Sequence, residues 1–244
     1  MQPLGDKELL GLWEAGRTMP PVRRALAILA AGCLECSVEE TERLPIGERD
    51  RRLVALREMT FGADLNGLAT CAHCREQMEF NMNTRELSST EFNREPAPMS
   101  VTVSAYRVTM RAPTTADLLA IDPGQSLDDA RRALVRRCIV NVEENDQPLS
   151  QAVLPDALVE TLPALVAECD PMAELRFNIT CPACRQTSTV LFDIVQYFWD
   201  EIAAAARRVL GEIHALARAY AWSEADILNM SRSRRRLYVE MVGA

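Results

Sequence analysis

Two short segments constrain this chain more than any other feature: Thr70-Cys71-Ala-His-Cys74-Arg75 and Thr180-Cys181-Pro-Ala-Cys184-Arg185. Two residues between cysteines let both thiolates reach one ion, while nearby backbone N–H groups bond the sulfurs. Two such knuckles facing each other supply a tetrahedral shell of four cysteines, closed to substrate and therefore structural. The matching Thr and Arg on either side of each pair make a shared site more specific than a lone CxxC. The expectation is one structural Zn2+ per chain, held by Cys71, Cys74, Cys181 and Cys184. The knuckles are 106 residues apart, so the ribbon would be split, unlike common ribbons with short connections. The alternative is two unrelated cysteine pairs. His73 lies inside the first knuckle and is an alternative ligand, although an exposed turn position suits it better.

The other four of the eight cysteines divide differently. Cys138 and Cys169 fall on apolar faces of expected helices, where cysteine behaves as a small hydrophobe. Cys33-Leu-Glu-Cys36 is a third CxxC, readable as a redox pair or as half of a second metal site whose partners are missing. A thioredoxin-type motif needs a strand before it, and the preceding segment here reads as helix. The N-terminus lacks a basic region followed by an apolar one, so no signal peptide is expected, and no apolar run approaches a membrane span. A reducing compartment follows, in which paired cysteines favour metals or cores over disulfides.

Periodicity organises the rest. Pro21 suits the first turn of a helix running to Ala31 with Gly32 as its stop, and a second helix follows Pro45 and ends at Gly62. Between them, Glu35 to Glu42 reads as a solvated loop or short helix. Met78, Phe80 and Met82 alternate as in a strand, and Glu95-Pro-Ala-Pro98 is a linker signal. The apolar phase slips near Ala105, which requires a bulge or tight turn between strands at 101–105 and 106–110. Helices are expected from Ser126 through Cys138 and from Pro155 through Cys169. A strand over Arg176–Thr180 precedes the second knuckle, and Val190 and Phe192 follow it. From Ile194 to Tyr220, apolar residues recur in steps of three and four, the mark of a long amphipathic helix. Ser223 and Ser231 are N-caps for two short helices. The fold class is α+β and predominantly helical, with short hairpins at the knuckles of a split ribbon joining helical lobes. The expected organisation is a helical segment (1–62), a first knuckle and strand (63–94), an inserted strand and helix region (95–170), a second knuckle (171–192) and a helical end (193–244).

Charge and motif content narrow the function. The net charge of −8 argues against a general binder of nucleic acid or anionic membranes. Of the 27 basic residues only Lys7 is lysine, a bias suited to ion pairs and interfaces. Ser231-Arg-Ser-Arg-Arg-Arg236 is a basic run, yet residues 193–244 hold seven arginines and seven acids, so nucleic acid is not the expected partner. With two histidines, His73 and His214, and no phosphate loop or hydrolase motif, an enzyme is not expected. The aromatic cluster Tyr197, Phe198 and Trp199 covers more than one helix face. With Trp222, Arg234, Arg235 and Arg236 it is a candidate interface, since aromatics and arginine concentrate at binding hot spots.

Asp193–Ile202, Glu212–Leu228 and Arg234–Tyr238 resemble the T4-like baseplate protein family, small hub or baseplate components encoded with contractile phage tails and related injection particles. The likeness is strongest over 176–244, including Cys181 and Cys184, and looser at Glu48–Arg57 and the first knuckle. It implies a non-enzymatic structural role among other baseplate, hub and tube proteins, without a small-molecule substrate or a membrane span. Such a protein is made in the cytoplasm of the producing bacterium and then sits in the virion or tail-like particle. Two rivals stay open: a zinc-ribbon nucleic-acid or transcription-associated protein, and an assembly chaperone absent from the mature particle.

Overall fold

Local chemistry sets where several of the helices begin or end. A computed structural model describes residues 1–33, 35–84, 96–150 and 154–243. Helix α1 (Asp6–Gly16) is followed by α2 (Pro21–Gly32), which starts on its proline. Gly32 packs so closely on Leu56 that a Cβ there would lie 2.5 Å from the leucine methyls. The acidic stretch folds as α3 (Val38–Arg43) through a reciprocal cap, in which Ser37 accepts from the Glu40 N–H and Glu40 accepts from the Ser37 N–H. Helix α4 (Ile46–Phe61) follows Pro45 and stops at Gly62, whose φ of 98° suits glycine.

Two antiparallel hairpins carry the knuckles. Strands β1 (Asp64–Thr70) and β2 (Gln77–Asn83) flank the first. Between the hairpins lies a four-stranded antiparallel sheet with its helices, and the expected linker at Glu95–Pro98 falls partly outside the described residues. Strands β3 (Met99–Val103) and β4 (Tyr106–Met110) meet at a two-residue turn, Ser104–Ala105, with Ser104 at φ 56°. That tight turn accounts for the phase slip. After α5 (Thr115–Leu119) and α6 (Leu127–Cys138), β5 (Ile139–Glu144) pairs with β4 and turns through Asn145 and Asp146, both at positive φ, into β6 (Gln147–Pro148).

The helix expected from Pro155 through Cys169 is two helices, α7 (Asp156–Val159) and α8 (Pro163–Cys169). Pro163 has no N–H to continue the first helix and instead opens the second. Leu158, Leu162, Leu165 and Cys169 are nevertheless all buried. A 3-10 turn at Pro171–Ala173 leads to β7 (Leu175–Thr180) and β8 (Thr187–Phe192), the second hairpin.

Helix α9 (Ile194–Tyr220) is the spine, capped by Asp193 and ended by Ala221 in the left-handed region at φ 54°. Short α10 (Glu224–Leu228) and α11 (Arg232–Val242) start on Ser223 and Ser231, each accepting the N–H three residues on. Helices α1, α2, α4 and the first half of α9 enclose one core around Leu9, Leu53, Leu56, Phe198 and Ile202. The ends of both hairpins enter it through Leu65, Leu175 and Phe192. A second core is built from residues 108–169 of the inserted region, and a third packs α10 and α11 on the far half of α9. The inserted region meets the helices where the Gly47 N–H donates to Asp170 and the Ile46 N–H to the Pro113 carbonyl. Helices make up about 52% of the chain, so the class is mixed, with small antiparallel sheets. Among the described residues no helix is long and apolar enough to cross a membrane.

Candidate metal centre

The two hairpins are copies of one local design. From β1 to the end of β2, each position has a counterpart 110 residues later, so Leu65 matches Leu175, Cys71 matches Cys181, and Met82 matches Phe192. The first-knuckle hairpin is complete: β1 precedes it, a strand absent from the sequence expectation because Gly67 sits at its centre. Gly67 faces Phe80 across the pair, and a Cβ at Gly67 would run into the Phe80 ring. In the second hairpin the sizes are exchanged, with Phe177 facing Val190.

Each knuckle turn is held by the same two backbone bonds. Cys71 N–H donates to the Glu76 carbonyl at 2.9 Å and Arg75 N–H to the Cys71 carbonyl at 3.0 Å. Cys181 to Gln186 and Arg185 to Cys181 repeat them at 2.9 and 2.8 Å. Arg75 and Arg185 both take left-handed φ, 63° and 60°. The repeated Arg thus marks the position where the chain reverses after the second cysteine.

These turns bring four sulfurs together. Sγ of Cys71 lies 3.7 Å from that of Cys184, and Sγ of Cys74 lies 3.6 Å from that of Cys181. All four lie within 4.8 Å of one another, a cluster that can hold a metal ion. Cys71 and Cys181 are buried, Cys184 is half-buried and Cys74 is exposed. Ala69, Met78, Phe80, Ile179 and Val190 wall the cluster. Ser188, buried on β8, reaches across to the first knuckle: its Oγ accepts from the Ala72 N–H at 3.4 Å and lies 3.9 Å from Cys71 Sγ. Sequence reasoning missed Ser188, and the repeat of the two hairpins would have found it as the counterpart of Met78.

The electrostatics are those of crowded thiols. The N–H groups of Cys74 and His73 draw the Cys71 thiol down to about 6. The Glu76 N–H acts in the same direction on Cys74, but desolvation and the three neighbouring sulfurs outweigh it and push that thiol up to about 12. Cys184 is also raised, its Gln186 N–H being outweighed by desolvation and by Cys71 and Cys181. Four sulfurs this close cannot all ionise without a cation among them. His73 and His214 are exposed, and His73 is absent from the cluster.

The remaining singled-out residues divide by burial. Cys33 and Cys36 are joined by a disulfide, against the expectation from a reducing compartment. Helix α2 ends at Gly32, and the Cys36 N–H bonds the Cys33 carbonyl in a turn that sets the two Cα atoms 5.5 Å apart, within bridging range. Phe198 and Trp199, expected at an interface, are buried in the first core, Phe198 edge-on to Phe61 and Trp199 beneath the Arg24 guanidinium. They lie on the α9 face that α1, α2 and α4 cover, so their aromatic surface is spent on packing. Arg235 is likewise buried, paired with Asp6 and Glu212. Tyr197 is half-buried and binds β1: its hydroxyl donates to the Asn66 carbonyl and accepts from the Asn66 N–H. Trp222 is half-buried between Tyr220 and Tyr238, whereas Arg234 and Arg236 are exposed. Cys138 and Cys169 are core residues.

Together these features describe packed helical cores and two matching hairpins whose four cysteines cluster. The chain belongs to the T4 bacteriophage base plate protein family, whose model matches residues 6–199. Of the stretch in which the sequence resemblance was strongest, only 176–199 falls inside that match. No curated protein and no solved structure gives a significant match.

Proposed function

We infer that this protein is a structural component of the baseplate of a contractile tail or tail-like injection particle, stapled by one Zn2+ on Cys71, Cys74, Cys181 and Cys184. Membership of the base plate family carries the role. The cluster of four sulfurs from two hairpins supports the staple. A tetrahedral shell with Zn–S near ~2.3 Å has edges of about 3.8 Å. The 3.6 and 3.7 Å sulfur separations fit that size. Four thiolates leave no open position, so the ion would be structural, and the hairpins would then form a split zinc ribbon. Bound zinc would supply the charge that lets all four thiols ionise.

Its partners on this reading are other baseplate, hub and tube proteins, met in the cytoplasm of the producing cell. The exposed Arg234 and Arg236 and the half-buried Trp222 and Tyr197 are available for such contacts. Mass spectrometry of purified particles tests the role. The chain should be present in fixed ratio to the other baseplate proteins, and deleting its gene should yield tails without complete baseplates. Absence from mature particles would replace the structural role with that of an assembly chaperone.

A further inference from the structure

Helices α9 and α11 enclose a cleft of about 640 Å³ lined by Arg208, Glu212, Arg232, Arg235, Arg236 and Glu240. It lies beyond the residues matched to the family. Arg235 is its fixed element: Nε donates to Glu212 at 2.7 Å, Nη2 pairs with Asp6, and only 3% of the side chain is exposed. The third nitrogen, Nη1, is buried and has no hydrogen-bond partner. A buried guanidinium donor without an acceptor is unfavourable, so a nearby acceptor would be favoured.

The other arginines are held loosely. Arg208 stands 3.9 Å from Glu212 and Arg236 stands 3.4 Å from Glu240, both i,i+4 pairs of little worth at exposed arginines. Arg232 reaches Asp6 at 2.8 Å but is itself half-exposed. Four guanidiniums thus face three carboxylates, a positive spot on a chain of net charge −8.

We propose that this cleft binds a side-chain carboxylate in an acidic segment of a partner protein, with the buried Arg235 among its lining and Arg208, Arg232 and Arg236 closing over it. A carboxylate suits the cleft better than a nucleic-acid backbone. One small anion satisfies the orphaned donor, and the fork geometry of arginine matches carboxylate. A duplex would in addition bring its long run of phosphates against the acidic remainder of a chain of net charge −8. The proposal does not depend on the zinc or on the baseplate role.

Fluorescence anisotropy on the full chain at low salt tests it, with a labelled oligoglutamate peptide as probe and a mixed-sequence DNA duplex as competitor. The wild type should bind the peptide in a salt-sensitive way. Arg208→Ala with Arg236→Ala should weaken binding roughly tenfold without changing thermal unfolding, because both side chains are exposed. Glu240→Gln should tighten binding, a change of opposite sign that general destabilisation does not produce. No peptide binding by the wild type, equal binding by the double variant, or displacement by DNA at lower concentration than unlabelled peptide would each overturn the proposal.

Discussion

Arg57 shows how much a single side chain can organise. Its guanidinium forks onto Glu201 at 2.6 and 2.8 Å and donates to the carbonyls of Gly62 and Asp64, with the Tyr197 ring beside it. One buried residue thereby joins the end of α4, the start of β1 and the first half of α9. Arg57→Ala should cost about 3 kcal/mol in urea denaturation, since it strands a carboxylate and two carbonyls. Arg57→Lys should recover little of this, because an ammonium cannot reproduce the fork. Gly67 makes a second test. Gly67→Ala should lose about 1–3 kcal/mol of stability by pressing on Phe80. Adding Phe80→Ala should return part of that loss, as the exchanged sizes of Phe177 and Val190 suggest. Recovery is read as a rise in unfolding temperature of the double variant over Gly67→Ala.

The elements divide by how local their causes are. Helices α2, α4, α6, α10 and α11 were legible because Pro21, Pro45, Ser126, Ser223 and Ser231 act within one turn of the helix they start, and α9 because its apolar residues recur in steps of three and four along its length. The four sulfurs were legible because their surroundings repeat. Strand β1 was not, since Gly67 has low strand propensity and pairs only because β2 is there. Strand β5 begins directly after Cys138, with no punctuation between helix and strand. The Arg57–Glu201 and Arg235–Asp6 pairs span 144 and 229 residues, and no local pattern announces them.

Helix α5 carries a pH prediction of its own. Burial would raise Asp117, but Arg111 at 2.6 and 3.0 Å, together with the N–H and hydroxyl of Thr114, holds it down to about 2. A depressed carboxylate supports the fold fully above its unfolded value near ~3.9, and that support is lost as pH falls through about 2. Asp50 and Asp170 run the other way, raised chiefly by burial, so they favour the fold at acid pH. Asp117→Asn should therefore lower stability at neutral pH by about 2 kcal/mol and flatten its decline between about pH 4 and 2. Denaturation midpoints across that range check it; an unchanged acid slope would show that Asp117 carries no linkage.

At the scale of the molecule, the described residues pack into three larger cores and a small cluster around the sulfurs, on a chain whose hairpins recur 110 residues apart. The inserted region between them is anchored at both ends by those hairpins, so whatever joins the knuckles also closes that long loop. Metal binding to thiolates that meet only in the folded state contributes directly to folding. A chelator strong enough to strip zinc should thus lower the unfolding temperature and raise protease sensitivity near the knuckles. The most direct measurement is elemental analysis of the purified chain beside Cys71→Ser and Cys181→Ser variants, with folding followed by circular dichroism. About one zinc per wild-type chain is expected, lost in both variants together with thermal stability. A fully folded wild-type chain that contains no metal, and variants as stable as it, would contradict the zinc staple.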